Sequence, residues 1–272
     1  MSNNVYPNTH PFAHERNMNV NFNYIWDGNN WVPQGTVKLS LEYIRTNAKS
    51  VIHKFGSNPN VSNAVSKTSP EAIWDGSSAY TFPPNNGTGI QVKSDDSNDE
   101  QQIIIEGLDS NFYVQTWTGN LNGINDVDID GTWSRIYRAY NNDSTDMAGI
   151  INIHASGNDA LSYAQIINAN NQTLMSLYTV PADCTGYIVD YNLSAQNTSS
   201  SSEIGFTVHF QTRQYNKVFR VQEVNSVNTS SPLSKDFPFP LKLEPKTDVI
   251  FNVVSANGNN GSINADFDIA LL

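Results

Sequence analysis

The densest run of potential metal ligands in this sequence is an alternating acidic segment. It spans Asp126–Gly131 (DVDIDG), with a carboxylate at every second position and a glycine at the end. Oxygen ligands at alternate positions before a glycine form the first half of an EF-hand calcium loop. The twelfth position of such a loop needs a bidentate glutamate, and here it holds Tyr137. We weigh a shallow calcium site at Asp126, Asp128 and Asp130 against an exposed strand with its aliphatic residues inward that ends in an Asp-Gly turn, and favour the strand.

A second acidic cluster consists of Asp95, Asp96, Asp99 and Glu100. Paired carboxylates catalyse glycoside hydrolysis only where they converge across a cleft, which spacing along the chain does not show. Two apolar segments flank this cluster and resemble paired strands. We therefore expect a solvated hairpin tip, which could pair with a basic surface of another protein.

The remaining residues that could do chemistry do not form a recognisable constellation. The single cysteine, Cys184, excludes an intramolecular disulfide, and no phosphate loop, dinucleotide fingerprint, nucleophile elbow or His-Glu-x-x-His motif is present. Zinc sites add cysteines or further histidines at set intervals, which the histidines here lack. We expect no catalytic residue, no cofactor and no enzymatic activity. The histidines are His10, His14, His53, His154 and His209.

The charge balance disfavours two classes of partner. The chain has 15 basic and 26 acidic residues, for a formal net charge of −11. Nucleic acids and anionic membranes are bound through lysine and arginine, so we expect neither as a partner. No apolar run approaches the ~18 residues of a membrane-spanning helix.

Composition and spacing predict an all-β chain. Charged residues make up only 15% of the sequence and asparagine is its commonest residue, a combination poor in helix formers and rich in turn formers. Short alternating segments recur throughout, and in the last third they are spaced as in a sandwich or jelly roll. We predict an N-terminal extended arm with one or two strands over residues 1–47. A β-sandwich domain over 48–170 and a jelly-roll-like β-sandwich domain over 171–272 follow.

The predicted arm contains the candidate interface anchors. Asn19–Ile25 alternates apolar and asparagine residues, and Thr36–Arg45 alternates clearly enough to predict a strand. Large aromatic residues dominate interface energetics, so we take Tyr24, Trp26 and Trp31 as anchors.

Exposed tryptophans could alternatively stack on sugar rings, as in carbohydrate-binding modules. The candidates for that role are Trp26, Trp31, Trp117 and Trp133. Large aromatic residues more often anchor cores and interfaces, and we favour that interpretation.

The tetrapeptide Ile-Trp-Asp-Gly occurs twice, at Ile25–Gly28 and at Ile73–Gly76. Asp-Gly is a turn dipeptide because glycine accepts the positive φ of tight turns. The flanks of the two copies share nothing, which argues against an internal repeat. We predict that the second copy is a strand end anchored by a buried indole.

Several segments, in order, resemble a family of tailed-phage virion proteins found in marine and cyanobacterial phages. The resemblance covers roughly residues 48–272 and excludes the arm, and the acidic run at 125–131 is not part of it. The segments that carry it are Val51–Phe82 (with SPEAIWDG), Ile104–Leu108 (IIEGL) with Asn111–Val114, Trp133–Tyr140 (WSRIYRAY), Gln172–Thr185 (QTLMSLYTVPADCT), Glu244–Asp248 (EPKTD) and Ala265–Leu272.

The resemblance implies a structural component of a phage particle, of the head decoration or minor capsid type. We therefore expect a homo-oligomer in the virion, made in the bacterial host cytoplasm, that decorates or cements the capsid. Its expected partners are the major capsid protein or other virion proteins. The alternative is a tail, portal-vertex or fibre protein that binds a receptor or a glycan.

Overall fold

The computed structural model describes residues 24–26, 31–33, 41–197, 203–258 and 261–272. It is 61% strand and 3% helix, which confirms the predicted all-β class with β-sandwich architecture. The elements are β1 Tyr24–Trp26, β2 Trp31–Pro33, α1 Leu41–Asn47, β3 Ser50–Val61, β4 Glu71–Ala72, β5 Thr88–Ser94, β6 Gln102–Asp109, β7 Val114–Asn120, β8 Val127–Asn141, β9 Ile151–Ala155, β10 Asn158–Ile166, β11 Leu177–Thr179, β12 Gly186–Asn197, β13 Gly205–Arg213, β14 Arg220–Asn228, β15 Leu233–Leu243, β16 Asp248–Ala256 and β17 Gly261–Leu271.

Two antiparallel sheets form a jelly roll. One has the order β15-β12-β17-β3, and the other has the order β11-β16-β13-β14, with β4 also paired to β16. The eight strand positions of the jelly roll can be numbered along the chain. Strand β3 takes position 1, β4 and β11 share position 2, and β12 to β17 take positions 3 to 8. In this numbering the first sheet has the order 6-3-8-1 and the second has the order 2-7-4-5. This is the double-sheet arrangement of a jelly roll, in which the first and last strands lie side by side.

A six-stranded antiparallel sheet is inserted within the second position of the jelly roll. Its order is β10-β9-β5-β8-β6-β7, and all six strands come from the chain between β4 and β11. The sequence-based boundaries 48–170 and 171–272 stay predictions. The pairing adds that β3 and β4, from the first segment, hydrogen-bond to β17 and β16, from the second.

Strand β16 is a wall shared by two hydrophobic cores. Val249, Phe251 and Val253 pack into the core of the jelly roll, while Ile250 packs into the core beneath the six-stranded sheet. Residues on alternate sides of a strand face opposite ways, so a strand buried on both faces needs a nearly continuous apolar run. The sequence Asp248–Val254 (DVIFNVV) has that character, and every residue in it is buried.

The second Ile-Trp-Asp-Gly copy forms the predicted buried turn. Trp74 is 3% exposed and its indole Nε1 donates to the Ser78 carbonyl at 3.0 Å. Asp75 is also buried and accepts the Leu174 N–H at 2.9 Å, while burial raises the pKa of its carboxyl to about 7. The turn thereby holds the segment that follows β4 against the segment that leads into β11.

A buried carboxylate joins the inserted sheet to the jelly roll. The carboxylate of Asp248, at the start of β16, accepts hydrogen bonds from Nε and Nη2 of Arg135 on β8, at 2.6 and 2.9 Å. It also accepts the Thr179 hydroxyl at 2.6 Å and Arg213 Nε at 2.8 Å. The Phe82 ring lies 5.1 and 4.8 Å from the two guanidinium carbons, within cation–π range. We call these residues the Asp248 clamp.

The prediction of a strand over Thr36–Arg45 is wrong for its described part, because α1 covers residues 41–47. Leu41, Ile44 and Ala48 are three and four residues apart, which places them on one face of a helix. Ile44 is fully buried against Tyr187 and Val189 on the outer side of β12. A different set, Val37, Leu39, Leu41 and Tyr43, alternates in twos and predicts the strand, but packing of the 41–48 face selects the helix.

We expect Asp248→Asn to lower the free energy of unfolding by about 3–5 kcal/mol, because it leaves the buried Arg135 without a counter-charge. Urea denaturation measures this change. The matched control is Arg138→Gln, which removes an arginine whose side chain is 46% exposed and lies 3.8 Å from Glu106. The control should cost less than about 1 kcal/mol. Equal losses in the two variants would contradict the clamp.

Candidate functional site: the free edge of strand β3

Strand β3 forms one edge of the four-stranded jelly-roll sheet. It pairs with β17 from Ser50 to Val61, and it has no second ladder among the strands that the structure describes. At Ser57 the outer edge of β3 meets the chain that leads into β11, because the Ser57 N–H donates to the Leu174 carbonyl at 3.5 Å. Residues 51–55 therefore form the open part of the edge. An unpaired strand edge is a template for pairing with another chain.

A groove of about 480 Å³ runs beside this open edge, between β3 and the six-stranded sheet. One wall is formed by residues 51–55 of β3 and the other by β6, β7 and β8 of the inserted sheet. Groove and strand edge together can receive an extended peptide with its side chains. The lining includes Val51, Lys54, Phe55, Glu106, Val114, Tyr137 and Arg138.

The rim of the groove is apolar and exposed. Val51 and Val114 are each 59% exposed, and Phe55 is 37% exposed. The ring of Phe55 stacks on His53 with centroids 5.9 Å apart, and His53 Nδ1 lies 2.7 Å from the Asp268 carboxylate. Single exposed apolar residues are ordinary on a protein surface, whereas clustered ones mark contact surfaces.

Lys54 lies at the base of the groove with its ammonium withdrawn from water. The residue is 7% exposed, and its Nζ donates to the Tyr137 carbonyl. Burial, with the nearby Arg138 guanidinium, lowers its pKa to about 7, although the Glu106 carboxylate acts in the opposite direction. Burial disfavours the charged form, so this lysine loses its proton far more easily than an exposed one.

The acidic run lies along the first part of β8 and its carboxylates do not converge. Asp128 accepts the Gln91 amide at 2.8 Å, and Asp126 lies 3.1 Å from His154 Nε2. Ile129 is buried while Asp128 and Asp130 are exposed, as the strand interpretation requires. Gly131 has φ of 86° at a bulge between β5 and β8, so it bends a strand and does not close a turn. In the described part of the chain, no group of three His, Cys, Asp or Glu residues is placed to hold a metal ion.

The prediction that the second acidic cluster is a hairpin tip is wrong, because β5 and β6 do not pair and β8 lies between them in the sheet. One residue of the cluster is also withdrawn from solvent. Asp99 is 1% exposed and accepts the N–H groups of Ala148 and Gly149 at 2.8 and 2.9 Å, together with the Ser94 hydroxyl at 2.6 Å. Burial acts to raise the pKa of Asp99, but these hydrogen bonds outweigh it and lower the pKa overall. Asp99 therefore links two loops through hydrogen bonds. The neighbouring sequence does not indicate that this residue is buried.

The predicted interface anchors lie in a short hairpin. Tyr24 pairs with Pro33 and Trp26 with Trp31 through the backbones of β1 and β2. Their side chains lie outside the described residues, as do His10 and His14, so the anchor assignment stays a prediction.

The tryptophans considered for sugar stacking are not equally accessible. Trp133 is 1% exposed and donates its indole N–H to the Asp130 carbonyl, and Trp117 packs partly buried against the same core. Trp133 is therefore a core anchor.

The sequence alone did not point to the β3 groove. Residues 51–55 (VIHKF) carry apolar side chains on both faces, which is a signal of a strand covered on both sides. Here only one face is covered: Val51, His53 and Phe55 are exposed on one side, and the buried Lys54 lies on the other.

Comparison with known proteins adds little to this geometry. No family model matches the chain, and no curated protein matches it. It is similar to a solved structure titled "Structure of infectious bursal disease virus Gt strain", with 11% identity, a TM-score of 0.23, and coverage of 88% of this chain and 74% of that one. A likeness at this level carries no argument about fold or function. In the described part of the chain, no helix is long and apolar enough to span a membrane.

We expect the free energy of unfolding of the unchanged protein to rise, relative to that of the Lys54→Met variant, as the pH increases from about 7 to 10.5. The folded-state pKa of Lys54 is about 7 and its ordinary value is 10.5, so between these pH values the unfolded chain holds a proton that the folded protein has lost. Stability rises with pH wherever the unfolded state binds more protons. Urea denaturation of both proteins across this interval measures the effect. A difference between them that does not change with pH would show that Lys54 is not withdrawn from water.

Proposed function

We propose that this chain is a structural protein of a virus particle, of the tailed-phage type, which assembles as a homo-oligomer and decorates or cements the capsid. The observation that supports the proposal best is the open β3 edge with its apolar-rimmed groove. A jelly roll that leaves one strand edge free can extend its sheet across a subunit boundary. Main-chain hydrogen bonds then supply affinity, and side-chain pockets supply specificity.

The occupant that we propose for the groove is the arm of a neighbouring copy, residues 1–40. The chain enters β3 through α1, which packs over β12 and approaches β15, so the arm begins on the side of the sheet away from the β3 edge of its own copy. Among the described strands, β1 and β2 pair only with each other. A two-stranded hairpin is at best marginally stable in water without a third strand or a packed face. Binding along β3 would supply both, with Tyr24, Trp26 and Trp31 as anchors.

The remaining parts of the proposal concern partners and location. The net charge of −11 supports binding to proteins over nucleic acid or membrane. The major capsid protein or other virion proteins are the proposed partners, the virion is the proposed location, and we propose no catalytic activity. Copy number in a purified particle separates capsid decoration from a tail, portal-vertex or fibre role, since a capsid protein is present in many copies and the others in few.

We expect Val51→Lys to weaken self-association, because it places a charge on the rim where the arm of a neighbour would bind. The matched control is Val224→Lys. Val224 also lies on an edge strand, β14, and it is 62% exposed, compared with 59% for Val51. Deletion of residues 1–40 should weaken association at least as much, while α1 and both cores are retained. Sedimentation velocity over a range of protein concentrations measures the self-association of all three variants.

The controls also define failure of this proposal. Val224→Lys should associate as the unchanged chain does, and all variants should keep their far-ultraviolet circular dichroism. An unchanged oligomer in both Val51→Lys and the deletion would contradict arm exchange at β3. A full chain that stays monomeric at every concentration would contradict the homo-oligomer.

A further inference from the structure

A small polar cleft lies at the end of the jelly roll, away from the β3 groove. It is formed where the turn from β13 to β14 meets the turn from β15 to β16, and its volume is about 230 Å³. Its lining is dominated by side chains that carry amide, hydroxyl, ammonium or guanidinium groups. Such a cleft suits a small hydrophilic ligand.

The cleft concentrates positive charge in a chain with a net charge of −11. Lys217, Arg220 and Lys242 line it, against a single acidic residue, Glu244. Lys242 and Glu244 form an ion pair with Nζ and Oε1 2.9 Å apart. Neither Lys217 nor Arg220 has a carboxylate within salt-bridge distance among the described residues, so the cleft carries two uncompensated cations.

Two buried threonines are among the residues that line the same cleft. Thr247 is 2% exposed, and its Oγ1 has no hydrogen-bond partner in the described structure. Thr212 is 8% exposed and accepts Gln222 Nε2 at 2.8 Å, which leaves its own proton available to a ligand. A buried polar group without a partner is costly, so an unpartnered hydroxyl in a cleft wall indicates a missing acceptor.

We propose that this cleft binds a phosphate or sulfate group, free or as the ester of a small saccharide. Lys217 and Arg220 supply the charge, and a guanidinium matches the geometry of a tetrahedral oxyanion with paired N–H donors. The hydroxyls of Thr212 and Thr247 donate to the remaining oxygens. The site does not depend on the β3 edge, and it is a binding function separate from assembly.

Isothermal titration calorimetry of the full chain tests the proposal, with inorganic phosphate, sulfate, glucose 6-phosphate and glucose as ligands. We expect the three anions to bind at millimolar concentration and glucose not to bind. The double variant Lys217→Gln and Arg220→Gln should weaken anion binding by about tenfold or more, because two charge-assisted hydrogen bonds are lost. Lys67→Gln, which removes one charge outside the cleft, should bind as the unchanged chain does.

A second variant tests the hydroxyl. Thr247→Val keeps the side-chain shape and should weaken anion binding while leaving the unliganded protein at least as stable, since an unpaired buried oxygen is removed. Tighter binding of glucose 6-phosphate than of phosphate would assign the site to a saccharide ester, and equal binding to the free oxyanion. No anion binding at millimolar concentration, or equal binding in the double variant, would overturn the proposal.

Discussion

The architecture depends on one buried ionic contact, the Asp248 clamp. The carboxylate lies at the start of β16, and the two guanidinium groups on it come from β8 and from β13. Asp248 and Arg135 are each 2% exposed, so loss of the Asp248 carboxylate would leave the Arg135 guanidinium in the protein interior without a counter-charge. We infer that this contact helps to hold the inserted sheet in one position on the jelly roll, because a displaced sheet would separate the buried charges.

The clamp also determines the geometry of the β3 groove. One wall of the groove belongs to the jelly roll through β3, and the other belongs to the inserted sheet through β6, β7 and β8. Strand β8 carries both Arg135, in the clamp, and Tyr137, whose carbonyl accepts Lys54 Nζ at the base of the groove. The contact that joins the two cores therefore also sets the width of the surface that we propose for assembly.

Local features of the fold could be predicted from the sequence, and long-range ones could not. The all-β class follows from composition and alternation, and the Trp74 turn follows from an apolar pair before Asp-Gly. The pairing of β3 with β17, and of Arg135 with Asp248 across 113 positions, leaves no local pattern because the partners are far apart in the chain. The sequence predicts a strand where α1 lies because the alternation of Val37, Leu39, Leu41 and Tyr43 extends into its first turn.

The candidate site shows the same limit. The sequence indicated an arm with aromatic anchors, and the structure adds an open edge for such an arm to bind. Lys54 could not be identified beforehand, since an isolated lysine in a short strand is ordinarily exposed. Asp99 was expected in water for the same reason, and its burial depends on backbone N–H groups some fifty positions away.

Hydrogen–deuterium exchange at those amides of residues 51–55 that point away from β17 tests the central claim most directly, because the alternate amides already donate to β17. The full chain at a concentration where it is oligomeric is compared with the chain lacking residues 1–40. Our account predicts that the open edge exchanges slowly in the full-chain oligomer and quickly in the truncated chain, with β12 and β17 equally protected in both. Fast exchange at residues 51–55 in the full-chain oligomer would contradict it, because no arm would then be paired along β3.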